Sequence, residues 1–148
     1  MTPMKKNIFL IGILATCASV VFSQQKSTTA TKANGTNAAD VNGKKVYTKY
    51  CLTCHQADGG GVQNMNPTLI GTSYVLGDKG AIIRIALNGF NDNVEINGQT
   101  YSNKMPSFAM LKDKDIADVL TYVRGHFGNH ADAVAPGEVA KVRAAMNK

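Results

Sequence analysis

Residues 41–55 read VNGKKVYTKYCLTCH, and the last five, Cys51-Leu52-Thr53-Cys54-His55, decide how the rest of the chain is read. Asp40 is placed to cap a helix running from Val41 to about Cys51. Val46 with Tyr50, and Gly43 with Tyr47 and Cys51, fall at i, i+4 spacings and form adjoining stripes on it. Gly43 costs about 1 kcal/mol relative to Ala inside a helix, so its presence predicts close packing against another element.

At the end of this helix two thiols stand three residues apart on one turn, with an imidazole directly after them. Cys-x-x-Cys-His is the pattern by which a haem is attached through two thioethers, with the histidine nitrogen beneath the iron. With three Cys and three His in the whole chain, the pattern seldom arises by chance. Two alternatives use the same residues. A thiol–disulfide pair of the thioredoxin kind expects a βαβ setting, and the sequence shows none. A zinc site needs a further Cys or His at suitable spacing, and only His126 and His130 remain, both read as surface residues at a helix end.

Working outward, Asp58-Gly59-Gly60-Gly61 is loop, and Pro67 to Gly71 is another. A helical stretch opens at Ser73 and runs through Ala81, Ile82, Ile85 and Ala86 to a stop at Asn88-Gly89. Residues 90–108 hold Gly98, Pro106 and several Asn without sustained periodicity, and are read as irregular loop. So long a loop in a small domain is functional or is held by something else. Asp113 to about His126 is the clearest helix, with Ile116, Val119, Leu120 and Val123 on one face. Pro136 opens a last helix through Val139 and Val142. No strand pattern is read, and the predicted class is all-α.

The chain has 148 residues, 44% apolar and 18% charged, which suits one small globular domain. Sixteen Lys+Arg face ten Asp+Glu. No basic run interleaved with aromatics appears, so nucleic-acid binding is not expected. Residues 1–23 read as an export signal: Lys5 and Lys6, then a mostly apolar stretch from Ile8 to Phe22, then Val21 and Ser23 at the −3 and −1 positions of a cleavage site. The stretch is shorter than the ~20 residues of a spanning helix. Leu14-Ala15-Thr16-Cys17 offers a competing lipidation site, in which case Cys17 would tether the protein to a membrane. Either route takes it out of the cytoplasm, and a periplasmic location is expected. Residues 24–39 are polar and small and read as a flexible linker. The folded domain is expected over 40–130, followed by a helical extension at 131–148.

A haem would fill the thin core that a domain of this size can build. Its second axial ligand is sought among Met65, Met105, Met110 and Met146. Met105, in Asn103-Lys104-Met105-Pro106-Ser107-Phe108, lies 50 residues after His55, far enough for the chain to return on the other face. Met110 is read as core, Met65 as loop filler and Met146 as part of a frayed end.

Taken together, CxxCH at 51–55, Met-Pro-x-Phe at 105–108, the run from Asp115 to Arg124 and Phe127-Gly128-Asn129 resemble a class I c-type cytochrome of the small bacterial monohaem kind. The resemblance covers about residues 41–130. It implies a cytochrome c fold of three to five short helices around one haem c bound through Cys51 and Cys54, with His55 and Met105 on the iron. It also implies a close crossing of the first and last family helices at Gly43, with Val119 and Tyr122 as the facing contacts. Pro67, in Asn66-Pro67-Thr68-Leu69, resembles the family proline whose carbonyl accepts from the proximal histidine, although relatives often carry Pro-Pro-Leu there. The segment 90–104 is similar to the loop before the methionine in cytochromes that serve quinoprotein dehydrogenases, copper nitrite reductases and terminal oxidases.

The function so implied is one-electron transfer between redox partner proteins, such as a dehydrogenase, a reductase or a terminal oxidase, with no substrate chemistry. Lys44, Lys45, Lys49 and Lys104 are candidates for a surface that meets acidic partners, or are simply solvated. Arg84 and Tyr101 are candidates for contacts with the haem propionates. A peroxidase-like enzyme or a gas-binding module remains the alternative if Met105 does not bind iron.

Overall fold

The structure is a computed structural model and describes residues 36–146. The signal and lipidation readings, Cys17, and the linker up to residue 35 lie outside the described residues. Six helical segments and one hairpin follow in order: α1 Thr36–Tyr50, α2 Leu52–His55, α3 Ser73–Leu76, α4 Lys79–Asn88, β1 Val94–Ile96, β2 Gln99–Tyr101, α5 Asp113–Gly125 and α6 Pro136–Met146. No helix among the described residues is long and apolar enough to cross a membrane.

Helix α1 starts a turn before the expected cap at Asp40, whose Oδ1 instead lies 3.4 Å from Nε2 of His126. The single helix expected from Ser73 to Asn88 is broken in two at Gly77. Thr72 and Asp78 each cap the piece that follows, accepting from the amides of Val75 (3.2 Å) and Ala81 (2.8 Å). Both residues are good N-caps that helical periodicity alone passes over.

The larger correction concerns residues 90–108, where no strand was expected. Val94-Glu95-Ile96 pairs antiparallel with Gln99-Thr100-Tyr101, and Ile96 faces Gln99 across a two-residue turn. That turn is Asn97-Gly98, with φ of 53° and 75°. Positive φ at both positions is what a twist-matched hairpin turn requires, and Asn-Gly supplies it at little cost.

The frame is the crossing of α1 on α5. A Cβ built at Gly43 would sit 2.3 Å from the carbonyl oxygen of Asp118 and 2.7 Å from Tyr122 Cβ. Tyr122 is thus one of the expected facing contacts, and Asp118 takes the place expected of Val119. Asn42 ties the crossing by donating to Asp115 (3.1 Å) and Asp118 (2.7 Å). Tyr47, Tyr122 and Phe127 cluster beside it with ring centroids 5.3–5.7 Å apart. Gly43→Ala should therefore destabilise the protein. The ~1 kcal/mol of helix propensity that Ala adds is outweighed by overlap with backbone, which cannot rotate away. A net loss of about 2 kcal/mol is expected, read as a lower melting temperature of the holoprotein. An unchanged or raised melting temperature would refute the close crossing.

Helix α6 belongs to the same core. Val134 and Val139 are buried in it, and Val142 and Met146 pack against it. Met146 is therefore not frayed. Met110, expected in the core, is 68% exposed; the chain turns outward after Phe108, and Leu111 packs inward in its place.

Candidate functional site

One side of the core is left open as a cleft. Its walls come from the α1 end (Tyr47, Tyr50), from α4 (Ile82, Ala86), from α5 (Val119, Val123) and from the hairpin (Val94, Ile96, Tyr101). It holds about 1200 Å³ of empty space, open mouth included. Cys51, Cys54, His55, Pro67 and Met105, separated by up to 54 positions in sequence, all line it.

The two cysteines and the histidine follow from a tight local turn. The amides of Cys54 and His55 both donate to Cys51 O (3.2 and 2.9 Å), which closes α2 directly onto α1. Cys51 is half-buried and Cys54 exposed. Burial, with the Cys54 thiol nearby, pushes the Cys51 thiol up to about 11, so it stays protonated at neutral pH.

His55 is buried, and its Nδ1 lies 2.9 Å from Pro67 O. A carbonyl can only accept, so Nδ1 carries the proton and Nε2 keeps its lone pair. Burial lowers the imidazole below its ordinary value, and the bond to Pro67 opposes that only in part. A neutral imidazole with a free Nε2, held by a backbone acceptor, is the form that binds a metal. The carbonyl that was expected only through the resemblance is thus in position. Its loop is held in turn by Gly61, whose amide donates to His55 O (3.1 Å). A Cβ on Gly61 would meet Asn66 O at 2.3 Å and Pro67 O at 2.6 Å, so only glycine fits.

Met105 comes from the opposite direction in sequence and is braced on α4. Its amide and carbonyl pair with Phe90, at 2.8 and 2.9 Å. Gly89 makes the approach possible, for its φ is 77° and a Cβ there would sit 2.4 Å from Met105 O. Farther on, Phe108 N–H donates to Ala86 O (3.0 Å) and Ser107 Oγ to Leu87 O (2.5 Å). These bonds use carbonyls that the end of α4 leaves without helical partners. Across the mouth, Asn103 donates through its amide to Met65 O and through its side chain to Asn66 Oδ1, both at 3.2 Å. The Met105 loop is thereby tied to the His55–Pro67 loop.

The remaining expected residues are distributed as follows. Tyr101 is buried in the cleft wall, its hydroxyl donating to Gln99 (3.0 Å). Arg84 is exposed, 3.9 Å from Asp78, and is not part of the lining. Lys44, Lys45, Lys49 and Lys104 are exposed. His130 is exposed, while His126 stacks on Tyr122 at 4.0 Å.

Two supporting residues had no role assigned from sequence. Asn129, 1% exposed, accepts from Gly71 N–H (2.8 Å) and donates to Leu69 O and Val123 O (3.0 and 2.9 Å). It fastens the Pro67–Gly71 loop to the end of α5. Buried Arg124 donates to the carbonyls of Val75, Gly77 and Asp132 and holds α3 against α5. A lone polar residue in an apolar helix face or beside glycine signals such a fastening, but not what it fastens.

The donor set suits a metal that arrives with ligands of its own. Among the described residues no three His, Cys, Asp or Glu gather to hold a bare ion. An imidazole nitrogen, a thioether and two thiols lining one apolar cleft are groups that would suit a haem: the first two could hold its iron, and the thiols could attach it.

Comparison with known proteins agrees. The family model for cytochrome c matches residues 41–126, more than half of the chain. Cytochrome c-552 of Thermus thermophilus is 34% identical over 99 residues, covering 64% of this chain and 66% of that protein. The cytochrome c subunit of a quinone alcohol dehydrogenase from Gluconacetobacter polyoxogenes is 32% identical over 125 residues, 82% of this chain and 26% of the subunit. The fructose dehydrogenase cytochrome subunit of Gluconobacter japonicus is 32% identical over 124 residues, 76% of this chain and 24% of the subunit. The chain thus spans just under two thirds of the first relative and about a quarter of the dehydrogenase subunits. The cleft, its thiols and the side chains that line it have a common explanation: the chain belongs to the cytochrome c family.

Proposed function

We propose that the cleft holds one haem c, attached through Cys51 and Cys54, with His55 and Met105 as axial ligands, and that the protein passes single electrons between redox partners. The observation that carries this reading is the convergence of His55 and Met105 on one apolar cleft from two separately braced loops. When bound, the haem supplies a one-electron couple at its iron, and methionine ligation favours the reduced state. The chain supplies the rest. Pro67 O fixes the tautomer and plane of His55. Phe90 and Gly89 hold Met105, so the ligands need not move when the charge changes. Apolar walls from α4 and α5 keep water from the cleft floor.

The relatives named as dehydrogenase cytochrome subunits support a dehydrogenase as the electron donor. The exposed Lys44, Lys45, Lys49 and Lys104 support an acidic docking surface on a partner. Absorption spectra of the ferric and ferrous protein, with and without carbon monoxide, test the reading. The expected result is a low-spin spectrum that carbon monoxide alters only slowly at neutral pH. Ready binding by the wild-type ferrous protein would favour a haem enzyme or gas-binding module instead.

Export to the periplasm is part of the proposal and rests on residues 1–23. The mature protein is expected to begin at Gln24. Its intact mass, which includes the haem, decides this: a mass carrying diacylglycerol on Cys17 would make it a membrane-tethered lipoprotein.

A further inference from the structure

Upstream, Met105 is braced on α4. Downstream, the chain leaves α4 after Phe108 and crosses Ala109-Met110-Leu111 to reach α5 at Asp113. This crossing is largely exposed, and its internal bonds are few: Leu111 N–H to Phe108 O (2.9 Å) and Ala109 N–H to Ser107 Oγ (3.2 Å). One side chain from α6 grips it from outside. Arg143 donates through Nη1 to Ala109 O (2.7 Å), through Nη2 to Leu111 O (2.8 Å) and through Nε to Asp113 Oδ1 (2.8 Å).

All three nitrogens of one planar fork are thus spent on a stretch of five residues, a pattern lysine cannot reproduce. The helix that carries the fork is itself fixed. Val139 is fully buried, and at the far end Glu138 pairs with Lys79 at 2.8 Å, which also donates to Ala133 O (3.0 Å). Residues 131–146 lie beyond the part matched to the family model.

We propose that Arg143 is a positioning residue for Met105: from α6 it clamps residues 109–113 and so limits excursions of the Met105 loop away from the haem iron. The proposal rests on the reading of Met105 as an axial ligand. The clamp sits four residues from Met105, and the bonds of Ser107 and Phe108 to α4 carry its restraint back to the ligand.

The test uses the holoprotein and the variants Arg143→Ala, Arg143→Lys and Gly43→Ala, with Met105→Ala as reference. Gly43→Ala strains the crossing of α1 on α5 at Asp118 and Tyr122, away from the partners of Arg143. Two quantities are read: the rate at which carbon monoxide displaces the sixth ligand of the ferrous protein, and amide hydrogen exchange at Met105 and Leu111. Arg143→Ala should raise the carbon monoxide rate about tenfold, the effect of losing one charge-assisted hydrogen bond, and should speed exchange at both amides. Arg143→Lys should restore only part of each. Gly43→Ala should lower the melting temperature yet leave the carbon monoxide rate near wild type. The proposal is overturned if Arg143→Ala leaves the rate unchanged while Met105→Ala opens the site, or if Gly43→Ala accelerates it equally. An unaltered spectrum in Met105→Ala would instead overturn the axial reading, and this inference with it.

Discussion

Replacing Cys51 and Cys54 together by Ala should yield mostly haem-free protein that does not reach a compact fold. The two thiols are the only attachment points the cleft offers among the described residues, and the residues around it are the core itself. Ile82, Ala86, Phe108, Val119, Leu120 and Val123 line the cleft and also belong to the buried cluster. Without the haem these side chains face empty or wetted space. A residual cavity costs ~24 cal/mol per Å³, a heavy loss against the 5–15 kcal/mol that typically holds a domain together. Some collapse of the walls would recover part of that, but α1 and α5 already cross at backbone contact on Gly43 and cannot close further. Far-ultraviolet circular dichroism and intact mass check the outcome. A haem-free double variant with full helical signal and a cooperative thermal transition would show that the polypeptide core suffices alone.

The readable parts of the fold were those in which one residue type has one structural use. Gly43 inside a helix announced a close crossing, and a backbone carbonyl and a Cβ occupy the space beside it. Pro136 and the apolar positions Val139 and Val142 announced α6. The hairpin was missed because Val94, Ile96 and Tyr101 give only three alternating apolar positions, too few to stand out against a stretch rich in Asn. The turn that decides it, Asn97-Gly98, is a local signal and was present. Met110 was misjudged for a different reason. Position before a helix does not say which way a side chain leaves the chain, and the outward bend after Phe108 is set by bonds to α4 that are remote in sequence. The same holds for the site. The thiols and His55 form one contiguous word. The brace on Met105 depends on Gly89 and Phe90, which sequence presented only as a helix end.

Met105→Ala should open the iron's sixth position, allow carbon monoxide to bind the ferrous protein and raise peroxidase side activity. The size of the effect follows from how the loop is held. Phe90, just past α4, pairs with the backbone of residue 105, and Ser107 and Phe108 fasten the chain after it to α4, so truncation removes the thioether without letting the loop swing in a substitute. Met65 lies on the neighbouring loop but is 49% exposed, and Met110 points away, so neither is placed to take over. Met105→His separates ligation from simple closure. An imidazole there would keep the iron six-coordinate, and carbon monoxide would again be excluded, yet the reduction potential should fall because imidazole supports the ferric state better than a thioether does. A variant that is closed to carbon monoxide but shifted to lower potential can only arise if residue 105 touches the iron. If Met105→Ala keeps the wild-type spectrum and potential, another group is the ligand. The bracing by Gly89 and Phe90 would then serve the loop alone.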